Sequence, residues 1–345
     1  GAFLSGGIDS SIVVALMSEL LDQPVKTFSI GFEEQEYNEL PYARMIADQY
    51  KTEHHEFIVK PDVVDILPKL VQNYNEPYSD SSAIPTYYLA QMTRRHVTVA
   101  LNGDGSDECF SGYPRHVSAE ALFRLQRRIG TFGKGALEAL VSLLPRGSHR
   151  RSLSRRIQRY VNAFYEKPQR LYIRWLCVFD NEMKEELYTP AFCDVNRQFD
   201  SVDLLERWYD RADGEAFIDT TLYTDVMSYL PEDLLVKVDI ATMAHSLEAR
   251  SPFVDHKVME FAAKLPPELK LNGSDTKYLL KQTFSKYLPA EIRHRKKMGF
   301  GVPIDHWLRN ELKSMAYDLL LDKTAIERGY FNKKAVQQLL DDHVA

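Results

Sequence analysis

Ser5-Gly6-Gly7-Ile8-Asp9-Ser10-Ser11 is the first stretch of the chain whose residue types could do chemistry. Two glycines allow backbone N–H groups to approach a ligand closely, and the hydroxyls can donate to anionic oxygens. The apolar periodicity that begins at Ser10 places all of this at a helix N-terminus, where free N–H groups and the macrodipole favour an anion. The segment lacks the Lys-Ser/Thr ending of a Walker loop. It carries Asp9 instead, which would repel a polyphosphate unless a divalent cation stood between them, so Asp9 points to magnesium. The plainer alternative is a tight turn with Asp9 as a helix cap.

A second run, Asn102-Gly103-Asp104-Gly105-Ser106-Asp107-Glu108, leads into Phe110-Ser111-Gly112-Tyr113. Carboxylates on loops after two different strands, here Asp9 and Asp107, are what a hard cation between phosphates requires. An acidic surface turn is the alternative. A third block spans Asp233 to Asp239 and continues from Met243 to Asp255. In it Glu248 and Arg250 are expected as a buried pair and Asp239 as a cap, and only Asp233 and Asp239 are carried forward as site candidates. The fourth is Arg295-Lys296-Lys297-Met298-Gly299-Phe300-Gly301-Val302-Pro303, a basic loop that could close over a polyanion, with a lysine to offset charge building on a phosphate. His54-His55-Glu56 is not read as a metal site, because adjacent strand residues face opposite ways. Tyr87-Tyr88 and the Trp175 region read as core aromatics.

The elements that must position these residues alternate. Ala2–Leu4 reads as the end of a strand, followed by a helix from Ser10 to Leu21 with Ile12, Val13, Leu16, Met17, Leu20 and Leu21 on one stripe. Strand Val25–Phe32, helix Leu40–Tyr50, strand His54–Val59, helices Val63–Tyr74 and Ile84–Arg95, and strand Val97–Leu101 follow. This predicts an α/β fold with a doubly wound parallel sheet, whose ligands sit beyond the carboxyl ends of the strands. From Tyr113 the pattern turns to helices without clear strands. Residues 1–112 are therefore expected to form the nucleotide-binding sheet and 113–345 a mostly helical lobe that completes the site.

The 345 residues are 44% hydrophobic and 27% charged, enough for one large or two ordinary domains with a proper core. No apolar run approaches the roughly 18 residues a membrane span needs. Three scattered cysteines (Cys109, Cys177, Cys193) make neither a disulfide framework nor a C-x-x-C pair, and fit a reducing cytoplasm. A net charge of -6 gives no global footprint for nucleic acid, and the basic run Arg146 to Arg159 reads as a solvated loop and helix start. Gly1 is not Met, and only four residues precede the first motif, so the natural N-terminus is expected upstream.

Ser5 to Ser10 resembles the signature of the N-type ATP pyrophosphatases (PP-loop enzymes), which cleave ATP between its α and β phosphates to form an adenylate. Asn102 to Tyr113 is similar to the second signature of the asparagine synthetase group, and the third and fourth blocks look like that group's corresponding segments, in family order from Leu4 to about Pro303. The resemblance implies a C-terminal synthetase domain of the PP-loop type that uses ATP and Mg2+. It implies adenine beside Phe28–Gly31, contacted by Leu4 and Ile30 largely through backbone, and pyrophosphate held by Ser5, Gly6, Gly7 and Ser10. Asn102 and Gly103 would line the nucleotide, Asp9 and Asp107 hold magnesium, and Lys297 neutralise the α-phosphate. Asp233 and Asp239 are carried as further catalytic candidates.

The implied reaction adenylates the aspartate side-chain carboxylate and delivers it to ammonia. The implied partners are small molecules (ATP, aspartate or another carboxylate, ammonia) and an upstream glutaminase domain, with a homodimer as one oligomeric option and no membrane or nucleic acid. This chain shows no such domain or N-terminal cysteine, so ammonia-dependent activity is expected of it. One position departs from the family: asparagine synthetases carry glutamate where Asp104 stands, and β-lactam synthetase carries tyrosine. Aspartate keeps the carboxylate chemistry that handles a proton from ammonia, and argues against lactam closure. An amidotransferase for another acid, such as a sugar acid, and a PP-loop nucleotide-binding or RNA-modifying protein are the alternatives.

Overall fold

The structure, a computed structural model, describes residues 1–32, 34, 38–59, 63–129, 167–295 and 297–344. Five parallel strands form the sheet in the order β3-β2-β1-β4-β5: β1 Ala2–Phe3, β2 Lys26–Gly31, β3 Glu53–Ile58, β4 Val99–Leu101 and β5 Glu248–Arg250. Thr27, Phe28, Ser29 and Ile30 of β2 are all buried, as an inner strand covered by helices on both faces demands. Ala2 sits in register with Thr27 on one side and Leu101 on the other. The chain winds outward from β1 through β2 to β3, then returns to add β4 on the opposite side of β1. Loops leaving the carboxyl ends of strands at such a reversal diverge and open a crevice. Here those loops hold Ser5 to Gly7 and Asn102 to Gly105.

Helices α1 Ile8–Leu20 and α2 Leu40–Tyr50 share a core in which Ile12, Val13, Ile46 and Ala47 meet Phe253. Helix α3 Val63–Tyr74 contributes Ile66 and Leu70 to a separate core with Val302 and Trp307. Helix α4 Ala83–Thr93 sets Leu89 against Phe28 and Ile30, and Ala90 against Ala100 and Leu247. Both α2 and α3 run over the residues their periodicity predicts. The stripe predicted for α1 holds only in its first half: Ser10 to Ala15 are buried, whereas Leu20 and Leu21 are exposed because the helix runs on past the core it covers.

The short helix α5 Ser106–Phe110 and the longer α6 Pro114–Ile129 follow β4, and helices Pro168–Leu176, Ser201–Arg211, Phe217–Met227, Val236–Met243 and Tyr278–Thr283 build much of the remainder. Beyond Tyr113, where the pattern shows no clear strand, β5 pairs with β4 at the sheet edge and Leu271–Asn272 pairs with Asp275–Thr276. Three residues are too few to show a period. Glu248 and Arg250 are also not a buried pair: they lie exposed and bond each other at 2.7 Å. His54 bonds Thr27 at 2.8 Å and His55 stacks on Phe28, and no group of three metal-binding side chains occurs among the described residues. Tyr87, Tyr88 and Trp175 pack in apolar clusters. No helix among the described residues is long and apolar enough to cross a membrane. The basic run Arg146 to Arg159 lies outside the described residues.

Candidate active site

The Ser5–Ser10 loop is shaped from within. Gly6 has φ 68°, and a Cβ there would stand 2.4 Å from the Tyr42 carbonyl carbon, so glycine is required by both conformation and space. Ser5 Oγ accepts from Gly7 N at 3.2 Å and lies 3.1 Å from Ser10 Oγ, which also reaches the Gly7 carbonyl at 3.3 Å. Gly7 leads into α1 with no side-chain cap, leaving the first-turn N–H groups for a ligand. Arg295 pins this loop from the far end of the chain: it donates to the Gly6 carbonyl at 3.2 Å, pairs with Glu39 at 2.5 Å and stacks over Tyr42.

Beside the loop, two carboxylates and two lysines interlock. Asp9 Oδ1 accepts from Ser106 Oγ at 2.7 Å and from Lys277 Nζ at 2.5 Å. Lys277 Nζ also lies 2.7 Å from Asp107 Oδ1, while Lys297 Nζ stands 2.7 Å from Asp107 Oδ2 and 3.9 Å from Asp9 Oδ2. Gly112 makes room for this: a Cβ there would sit 1.7 Å from Asp107 Oδ1 and 2.3 Å from Lys277 Cε. Burial works to raise the Asp107 carboxyl, but Lys277 and Lys297 outweigh it and hold the group well below the ordinary carboxylate range. Desolvation works to lower the Lys297 ammonium, but Asp107 and Asp9 outweigh it and hold its pKa above the usual lysine value.

A divalent cation fits this donor set. Two carboxylates from different loops, facing a cleft beside an anion-binding loop, are the share that a protein supplies to magnesium when phosphate oxygens and water complete the shell. Asp9 and Asp107 would hold the ion.

A cleft opens beside this cluster, with two ends of different character. One end is apolar, walled by Phe3, Leu4, Phe28, Ile30, Leu89 and Phe300. Leu4 N donates to the Phe28 carbonyl at 2.9 Å and the Leu4 carbonyl accepts from Ser29 Oγ. The other end carries Ser5, Asp9, Ser10, Asn102, Gly103, Asp104, Asp107 and Lys297. Burial raises the Asp104 carboxyl above its ordinary value, against the pull of Lys237 and Lys297 and with help from Asp107 and Asp9. A smaller recess opens at Ser5, Gly7 and Asp9, where Lys277, Lys281, Arg295 and Lys297 gather at the N-terminus of α1.

Most of the predicted site residues thus meet in one cleft. Gly6 stands off it, packed on Tyr42, and Gly7 faces the cationic recess. Asp233 and Asp239 line neither space. Asp233 accepts from Tyr78 OH at 2.8 Å, and Asp239 is exposed in a neighbouring cleft that shares Asn102 and Val238 with the first. Sequence reasoning missed Lys277 and Lys237, which also line these spaces. Each is a single lysine outside any glycine-rich loop. Their one available signal was position, two residues before Asp239 and just after the turn at Gly273.

The asparagine synthase family model matches residues 1–345, the whole chain. The chain belongs to that family. It is 34% identical over 346 residues to glutamine-hydrolyzing asparagine synthetase 1 of Bacillus subtilis (strain 168), covering 100% of this chain and 52% of the relative. It is 33% identical over 355 residues to a putative glutamine-hydrolyzing asparagine synthetase of Mycobacterium tuberculosis (strain ATCC 25618 / H37Rv), covering 99% and 51%. A putative asparagine synthetase 2 of Methanocaldococcus jannaschii is 48% identical over 120 residues, 34% of this chain and 23% of the relative. The chain spans about half the length of the first two.

Proposed function

We propose that this chain activates the side-chain carboxylate of aspartate with ATP, as an adenylate, and transfers the acyl group to ammonia to give asparagine. The observation that carries this reading is the union of one apolar wall, one uncapped helix N-terminus and the Asp9–Lys277–Asp107–Lys297 cluster in a single cleft. Adenine takes the apolar end by Leu4 and Ile30. The β and γ phosphates take the recess with Lys277, Lys281, Arg295 and Lys297. This leaves the α-phosphorus near Asp107 and Lys297, facing Asp104.

The acyl carboxylate oxygen attacks the α-phosphorus as the bridge to the β-phosphate breaks, so AMP is joined to the acid and pyrophosphate leaves toward the α1 N-terminus. Lys297 meets the charge that builds on the α-phosphoryl oxygens. Magnesium, when bound by Asp9 and Asp107, supplies charge neutralisation on the phosphate oxygens. Ammonia then adds at the acyl carbon, AMP departs, and Asp104, with its carboxyl raised by burial, is placed to accept the surplus proton. The neighbouring cleft, which shares Asn102 and Val238 with the first, is the approach we propose for ammonia. The relatives' length supports a glutaminase segment beside this one as the ammonia supplier.

Exchange of labelled pyrophosphate into ATP across a panel of acids tests the reading. Exchange that requires aspartate is the expected result; exchange driven only by a different acid would reassign the substrate, and none with any acid would refute activation.

A further inference from the structure

The cleft contains one more buried cation, and the reaction as drawn leaves it without a task. Lys237, on helix Val236–Met243, lines the wall beside Thr86, Asp104 and Val238. Only 8% of it is exposed. Its Nζ donates to Asp80 Oδ2 at 2.8 Å. Asp80 is fixed in turn, its Oδ1 accepting from Ser82 N at 2.8 Å and Ser82 Oγ at 2.7 Å. Tyr74 OH donates to the Lys237 carbonyl at 2.9 Å, which holds the backbone at this point.

An ammonium carries three donors, and Asp80 is the one acceptor that Lys237 Nζ reaches among the described residues. A buried charge answered by one hydrogen bond is costly unless further acceptors arrive. The other cleft lysines are not available to the acyl end, since Lys277 and Lys297 lie beside Asp9 and Asp107, where the proposed reaction commits them to the phosphates. Arg115, the next cation on that side, is committed to Asp225 and Tyr172. Asp104 presents a carboxylate to the same space, so an incoming second carboxylate needs a positive partner there.

We infer that Lys237 receives a second, non-reacting carboxylate of the acyl substrate, and so restricts the substrate class to dicarboxylic acids, aspartate among them. This rests on the proposed activation of a carboxylate and adds the residue that selects it. Asp80 aims the ammonium from behind, and Lys237 acts in specificity, without part in the bond changes.

The test is pyrophosphate exchange by the chain with L-aspartate and with β-alanine, which keeps the reacting carboxylate and lacks the second. The wild-type chain should prefer aspartate. In Lys237→Met, the KM for aspartate should rise roughly tenfold to a hundredfold, the scale of one charge-assisted hydrogen bond, with the KM for ATP and the use of β-alanine unchanged. Lys237→Arg should restore part of the preference. Because Lys237→Met leaves the Asp80 carboxylate without its cation, the double variant Lys237→Met/Asp80→Asn is measured beside it and should lose the preference in a stably folded chain. An unchanged KM for aspartate, or an equal loss with both acids in the folded double variant, would overturn the inference. Absence of exchange by the wild-type chain with every acid would instead remove the reading beneath it.

Discussion

Lys277 and Lys297 grip the same two carboxylates but differ in exposure, 4% of one side chain against 34% of the other. The difference assigns them separate consequences. Removing Lys277 leaves Asp9 and Asp107 in a buried space with Lys297 as their remaining cation, so Lys277→Met should lower the unfolding free energy by about 3 kcal/mol in urea titrations. Lys297→Met should cost less stability than Lys277→Met, yet slow aspartate-dependent exchange by roughly a hundredfold to a thousandfold, as loss of one transition-state charge partner does. A pH effect belongs to His116, which is fully buried and bonds Asp225 at 2.9 Å. Burial holds its imidazole below the ordinary 6.5, against the raising influence of Asp225. The folded chain therefore binds this proton less readily than the unfolded one. Stability should fall as pH drops through 6.5 and stop falling once pH is below the folded value. His116→Asn should flatten that slope, and an identical slope in both proteins would show that another group carries it.

At the scale of elements, the loops matter more than the helices that follow them. Ser5–Ser10 and Asn102–Asp107 were legible because glycines, hydroxyls and carboxylates cluster there and because each follows an apolar strand. Helices α2 and α3 were legible because their apolar residues recur at helical spacing over 11 and 12 residues. β5 was not, since three residues, two of them the exposed Glu248 and Arg250, carry no period. Asp233 and Asp239 looked like site residues through their company in the block, yet the helical turns that carry them aim them at Tyr78 and at the neighbouring cleft. Gly112 is the element-scale counterpart of the acid–lysine cluster. Gly112→Ala would displace Asp107 and Lys277 from the space the new Cβ takes, and misplacement of about an ångström costs on the order of a hundredfold in rate. Calorimetry should show weakened binding of magnesium ATP together with that loss, whereas wild-type affinity and rate would mean that the cluster tolerates displacement.

Over the whole molecule, the site is a product of long-range closure. Asp9 meets Lys277 across 268 positions, and Arg295 reaches the Gly6 carbonyl across 289. No local pattern announces such meetings, which is why Lys277 escaped the sequence while Lys297, set in a basic glycine loop, did not. The sheet itself needs β5 from the second half. A chain ending at residue 247 would lack β5, Lys277 and Lys297, and should show neither a cooperative unfolding transition nor nucleotide binding by calorimetry. A folded, ATP-binding truncated chain would show that the first 247 residues are self-sufficient.

The central claim is that a carboxylate oxygen of the acid attacks the α-phosphorus. Aspartate labelled with 18O in its side-chain carboxylate, turned over with ATP and ammonia, tests this most directly. One labelled oxygen should appear in AMP, with unlabelled pyrophosphate beside it. Label in inorganic phosphate together with ADP would contradict the account, because activation would then run through the γ-phosphorus and the arrangement of Asp9, Asp107 and Lys297 around the α position would have no role.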